Sequence, residues 1–249
     1  MKIRIKFRKY GIMRFIGHLD MMRYFQKAMR RAGIDIAYSE GFSPHQIMSF
    51  AAPLGVGITS DGEYFDIEAY STGSSKEALS ALNEVMVEGV QVTEYRLLPE
   101  GTKNAMSSVA AADYSLHVKE GIRNPFTLKT LEDALHAFYE GQSEILITKQ
   151  TKKSERTIDL KPLIYDLKAV DEADPGFFLK VCTGSTDNIK PELVLAAFFE
   201  YSEKNNMQNS GPESGFSLSP SDFVIHRLEV YAKDESGFVP LGALGEDIP

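Results

Sequence analysis

A chain of 249 residues, 43% hydrophobic and 25% charged, has the size of one large soluble domain or two small ones. No apolar run approaches the roughly 20 residues of a membrane span, and MKIRIKFRKYG alternates charge with apolar residues, so it reads as a strand and not as a secretion signal. The single cysteine, Cys182, excludes an internal disulfide and a cysteine-built zinc site. A reducing cytoplasm is the expected compartment, with no membrane partner.

The formal net charge of -8 is unevenly spread: residues 1–50 hold ten Lys/Arg and three acids, +7, which leaves -15 for the rest. A basic first segment on an acidic body fits local binding of a phosphate backbone, or simply a mixed surface kept soluble by its charge.

Taken in order, Lys2–Lys9 predicts a strand with Ile3, Ile5 and Phe7 inward and Arg4, Lys6 and Arg8 outward. A helix follows from about His18 to Ala32, with an apolar stripe of Leu19, Met22, Phe25, Met29 and Ala32. Gly33 stops it. Ile34–Ser39 and Gln46–Ala51 read as extended, and a strand starts at Gly62. Ser74 or Ser75 caps a second helix with Leu79, Leu82, Val85 and Met86 on its apolar side, and Val90–Leu98 is a strand. Strand, helix, strand, strand, helix, strand is the βαββαβ order of a ferredoxin-like fold.

Pro99–Ala112, which begins PEGTKNAMSSVAA, reads as a linker, with 100–112 between the two halves. Beyond it come a strand at Tyr114–Lys119, a helix at Thr127–Tyr139, a hairpin of Glu144–Gln150 and Arg156–Leu160, and a strand at Gly176–Thr183. A helix from Pro191 to Lys204 and a last strand at Phe223–Lys233 complete the order. The polar, Gly/Ser/Pro-rich segment 205–221 reads as a mobile loop and the tail as loose. The expectation is therefore an α+β chain of two tandem ferredoxin-like halves with antiparallel sheets, 1–99 and 113–249.

The chemistry-bearing residues concentrate in Arg14–Asp66. His18 at the mouth of a helix has a lowered pKa, because the dipole disfavours a second positive charge, and it reads as a base or as a packed ring. His45 lies in GFSPHQ, where Gly41 and Pro44 shape the backbone and the glycine, Ser39 and Ser43 present N–H and hydroxyl donors to an anion, or where the segment simply forms a long turn. No Walker loop, dinucleotide fingerprint or GxSxG elbow is present. The spacing of His18, His45, Asp20, Glu63 and Asp66 matches no standard ligand pattern, so neither metal nor cofactor is expected. Arg23, Lys27, Arg30 and Arg31 make a basic helix face, either solvated or tracking phosphates, with Phe15, Tyr24 and Tyr38 near enough to stack on bases. A second basic turn, KQTKKSER at 149–156, extends that surface.

Arg14–Asp20, Arg31–Gly33 and Tyr38–His45 carry a likeness: the stretch RFIGHLD, the RAG helix end and YSEGFSPH closely resemble the radical-SAM-linked protein family. Members are encoded beside, or fused to, cobalamin-binding-type radical SAM proteins, often near genes for an E/G-type ribonuclease and ribosomal proteins. Gly17 stands where many members have Ser, which argues against an essential hydroxyl there. The chain has no CxxxCxxC motif and so cannot itself hold a radical SAM cluster. The resemblance implies an accessory role, with a radical SAM protein and RNA as partners. Two alternatives stay open: a metal-independent endoribonuclease of the CRISPR repeat-processing type and a non-catalytic protein adaptor. If the chain is catalytic, the expected groups are His18, His45 and Arg14. Substrate would rest on Arg23, Lys27, Arg30, Arg31, Ser39, Gly41, Phe42, Ser43, Glu63 and Asp66.

Overall fold

In the computed structural model, which describes residues 1–150, 155–184, 187–205 and 218–249, the first strand β1 (Lys2–Lys9) forms where its alternation puts it. Both of its faces are buried. Ile3, Ile5 and Phe7 enter the core, and Arg4 on the other face is only 1% exposed. The expectation of an outward Arg4 is thus corrected. Arg4 lies directly across from Asp66 and donates to its two oxygens at 2.8 and 2.9 Å. Its other donors go to the carbonyls of Leu241 and Lys103.

Helix α1 (His18–Arg31) buries Met21, Phe25, Ala28 and Met29. That stripe is rotated from the expected one, and Leu19 is 66% exposed. The helix ends at Ala32 in a Schellman motif, with Gly33 at φ +69° and the Ile34 N–H on the Met29 carbonyl at 3.0 Å. The strand expected at Ile34–Ser39 reduces to isolated bridges at Ile36 and Tyr38. β2 (Met48–Phe50) and β3 (Thr59–Glu68) follow. α2 (Ser75–Glu84) is capped by Ser74 in a reciprocal box with Glu77, and β4 (Val90–Leu97) closes this stretch.

The segment expected as a linker is built in. α3 (Ala105–Ser108) and the start of β5 (Ala111–Val118) lie within it, because Ala105, Ala111 and Ala112 are small enough to be fully buried. α4 (Leu128–Leu135), β6 (Leu146–Gln150) and β7 (Glu155–Asp159) come next, the last two as a separate two-strand sheet. Residues 151–154 of the basic turn lie outside the described residues, as do 206–217 of the loop expected to be mobile. β8 (Ile164–Val170), with only Ile164 fully buried, has no counterpart in the expectation. β9 (Gly176–Cys182), α5 (Pro191–Lys204), β10 (Phe223–Asp234), β11 (Gly237–Pro240) and β12 (Glu246–Asp247) complete the chain.

The described residues therefore form an α+β protein with five α-helices and a mixed ten-strand sheet, in the order β12-β4-β1-β3-β10-β5-β9-β8, with β11 on β10 and β2 on β3. Two separate ferredoxin-like sheets do not form, because β10 pairs with β3 on one side and β5 on the other. The tail is not loose: β12 pairs with β4, Leu241 is fully buried, and the Ile248 N–H donates to Ser75 Oγ at 2.8 Å. No helix among the described residues is long and apolar enough to cross a membrane.

By its contacts the chain divides into two compact units. The first comprises Met1–Ala112, Thr183–Thr186 and Arg227–Pro249. Its core centres on Phe7, Phe25, Phe50 and Phe65, with Phe7–Phe25 ring centroids 4.6 Å apart and Phe50 stacked on Phe65 at 4.8 Å. The second, Asp113–Cys182 and Asp187–His226, packs Phe177 against Phe198 at 5.3 Å.

Asp66 also accepts from the Ala105 N–H at 2.6 Å, so removing it strands a buried guanidinium and the first amide of α3. Asp66→Ala is expected to cost about 3–5 kcal/mol in urea unfolding, and the paired replacement Arg4→Met with Asp66→Leu less than that.

Candidate functional site

Three neighbouring strands each break an inward apolar row with a charged residue. Along β1 the row reads Ile3, Ile5, Phe7, Lys9; along β3, Ile67, Phe65, Glu63; along β10, Ile225, Arg227. Lys9, Glu63 and Arg227 are 2%, 7% and 1% exposed. Arg227 donates through Nε and Nη2 to Glu63 Oε1 at 2.9 and 2.6 Å, and to the Ala52 carbonyl at 3.0 Å. Gly62 permits this approach, since a Cβ there would stand 2.7 Å from the Glu229 Cα. Lys9 donates to the Ile16 carbonyl at 2.6 Å and forms no ion pair among the described residues.

His18, the first residue of α1, stands edge-on to Phe50 with centroids 5.4 Å apart. Burial pushes its pKa down; Glu63 opposes the shift and Lys9 adds to it. The Lys9 ammonium is also held below its ordinary value, first by burial, with Glu63 opposing and Arg227 adding. The N-cap is Gly17, so no side chain accepts from the first-turn amides. Arg14 precedes them, in the 3-10 turn Gly11–Phe15. Its guanidinium lies 4.8 Å from the Phe15 ring and its carbonyl accepts from the Gly57 N–H at 2.8 Å.

Of the residues expected to form a site, the structure brings His18 and Glu63 together. Asp66 is on the opposite face of β3, fully engaged by Arg4 and Ala105. His45 belongs to another neighbourhood. Its Nδ1 is 2.8 Å from Ser39 Oγ, and the Ser39 N–H donates to the His45 carbonyl at 2.8 Å. Gln46 ties that loop to the Gln26 carbonyl at 3.2 Å. Gln26 lies about 12 Å along α1 from His18 at 1.5 Å per residue. Gly41 turns the loop at φ +104°; Gly41 and Ser43 are exposed, and Phe42 is fully exposed.

Arg23, Lys27, Arg30 and Arg31 are all exposed on α1. Arg23 pairs with Asp20 at 3.1 Å, Arg30 bonds to the Tyr38 hydroxyl, and Arg31 donates to the Val85 carbonyl at 3.1 Å. Sequence reasoning missed Lys9 and Arg227. The signal was there: each is the next inward position of an apolar alternation. Among the described residues no three His, Cys, Asp or Glu side chains gather as a metal would need.

A family model described as an uncharacterized protein conserved in bacteria, DUF2344, matches residues 2–191. The chain belongs to the DUF2344 family. No curated protein matches this DUF2344 chain. Among solved structures it is similar to a chain in the crystal structure of a Cbf5–Nop10–Gar1 complex, at 11% identity and a TM-score of 0.44. That similarity covers 94% of this chain and 51% of the other, so the chain spans about half the length of its match.

A histidine whose folded pKa is lowered binds its proton less readily than in the unfolded chain. Its contribution to stability is complete above the unfolded value near 6.5 and is lost as pH falls from there through the folded value. Unfolding followed by urea titration at stepwise lower pH should show this loss in the wild type, and His18→Gln should flatten it.

Proposed function

We propose that this DUF2344 chain binds RNA through the outward face of α1. One observation carries the reading: Arg23, Lys27 and Arg30 are exposed along the helix, and the fully exposed Phe42 tips a loop tied to that helix at Gln26. Lys27 has no ion-pair partner among the described residues, and the Arg23–Asp20 pair is too exposed to hold its charge from a phosphate. Exposed cations releasing counterions, beside an aromatic ring free to stack, suit single-stranded or looped RNA. A chain with a net charge of -8 would otherwise repel such a ligand.

The role this supports is accessory: the chain holds an RNA substrate for a radical SAM partner. That part rests on the sequence likeness at Arg14–Asp20 and Tyr38–His45. The two-histidine cleavage scheme gains no support, because the groups that meet His18 are Lys9, Glu63 and Phe50.

Replacing Arg23, Lys27 and Arg30 together by Glu should weaken RNA binding steeply and reduce the slope of log K against log salt by about 2, read by fluorescence anisotropy across a salt series. Phe42→Ala should cost about 1–3 kcal/mol of that binding. Unchanged affinity in the triple variant would sink the reading. Anaerobic co-purification of the chain with its radical SAM neighbour, with and without RNA, tests the accessory role; no association in either condition counts against it.

A further inference from the structure

Lys9 poses a problem that the fold alone does not answer. It is 2% exposed, its one hydrogen-bond partner is a neutral carbonyl, and no ion pair forms with it among the described residues. The nearby carboxylate, Glu63, already takes two bonds from Arg227 on one oxygen. Buried charges are ordinarily paired, since the interior does not solvate them. The carbonyl that Lys9 holds belongs to Ile16, two residues before α1 begins. The ammonium therefore stands at the positive end of that helix, where the Gly17 cap offers no side-chain acceptor. Arg14, Ile16, Gly17 and His18 are each only partly buried, so this mouth opens to solvent.

We propose that the mouth formed by Lys9, His18 and the first-turn amides of α1 is a receiving site for a single phosphate-class oxyanion. Lys9 supplies the counter-charge, the open amides donate to the remaining oxygens, and a ring nitrogen of His18 donates from the rim. A phosphate-class oxyanion has oxygens enough to accept from all three kinds of donor at once. The groups facing His18 are Lys9 on β1, Glu63 on β3 with Arg227 of β10 bound to it, and Phe50 on β2. Burial and Lys9 both disfavour the charged form of His18, and an arriving anion opposes them by stabilising the imidazolium. As to source, a phosphodiester of bound RNA rests on the reading of α1 given above; a free phosphate does not.

The experiment is a histidine-ring NMR titration of the full chain against inorganic phosphate. Phosphate should raise the apparent pKa of His18 and shift the amides of His18, Leu19 and Asp20, while leaving His45 unmoved. Lys9→Met should lose both responses, and Lys9→Arg, which keeps the charge, should retain them. That pair separates a lost site from a lost fold. The proposal is overturned if phosphate leaves His18 unmoved, or if Lys9→Met responds as the wild type does. The variant with Arg23, Lys27 and Arg30 replaced by Glu should keep the phosphate response even as RNA affinity falls, so failure of RNA binding leaves this site standing. A short single-stranded RNA that reproduces the His18 shift in wild type but not in Lys9→Met identifies the phosphodiester as the ligand. RNA that binds without moving His18 overturns that source and leaves a free phosphate compound.

Discussion

The Arg4–Asp66 pair is the constraint from which the first unit follows. A guanidinium 1% exposed is tolerable only when its donors are met. Asp66 meets two of them from the next strand, and the rest come from Leu241 and Lys103, far away in the chain. Asp66 in turn takes the Ala105 amide at the start of α3. One ion pair thus fixes a strand register and draws two remote segments over the face of β1 that does not carry the aromatic core. Lys6 repeats the arrangement on the same face, bonded to Glu229 at 2.6 Å and 3.5 Å from Glu94.

The opposite face of the same strands ends differently. There Phe7, Phe65 and Ile67 give a dry core under α1, and the next positions turn charged: Lys9, Glu63, Arg227. Apolar residues of similar size would pack at those positions with less desolvation. Charged groups retained together at the mouth of a helix, with the Lys9 ammonium and the adjoining His18 ring both lowered in pKa by burial, are a pattern more common at working sites than in inert cores. The exposed α1 cations lie on the helix whose N-terminus covers this cluster, so one element serves both features.

Much of the fold was legible because local signals agreed. The alternation of β1, the Gly33 stop, the Ser74 cap and Pro191 at the start of α5 each placed an element within a residue or two. What failed was what depends on distant partners. Nothing local tells that Arg4 is inward, because its partner is 62 residues away. β12 is two residues long and carries no periodicity, so its pairing with Leu97 and Arg96 is invisible in the tail's composition. The site was half legible for the same reason. His18 and Glu63 stand out as residue types in a dense stretch. Lys9 reads as the charged end of a basic strand, and Arg227 comes from 164 residues beyond the carboxylate it binds.

That last separation orders the protein's birth. At ribosomal rates of 5–20 residues per second, roughly 8 to 30 seconds pass between the emergence of Glu63 and that of Arg227. Within that interval both Arg4 and Asp66 have been made, whereas Glu63 still lacks the cation that holds it in the folded protein. The pair that sets the β1–β3 register is thus available well before the residue that completes the cluster. Until β10 is made, Lys9 is the one cation of the cluster that the chain can offer Glu63. In the folded protein Arg227 holds that carboxylate, and the Lys9 ammonium has no ion pair among the described residues.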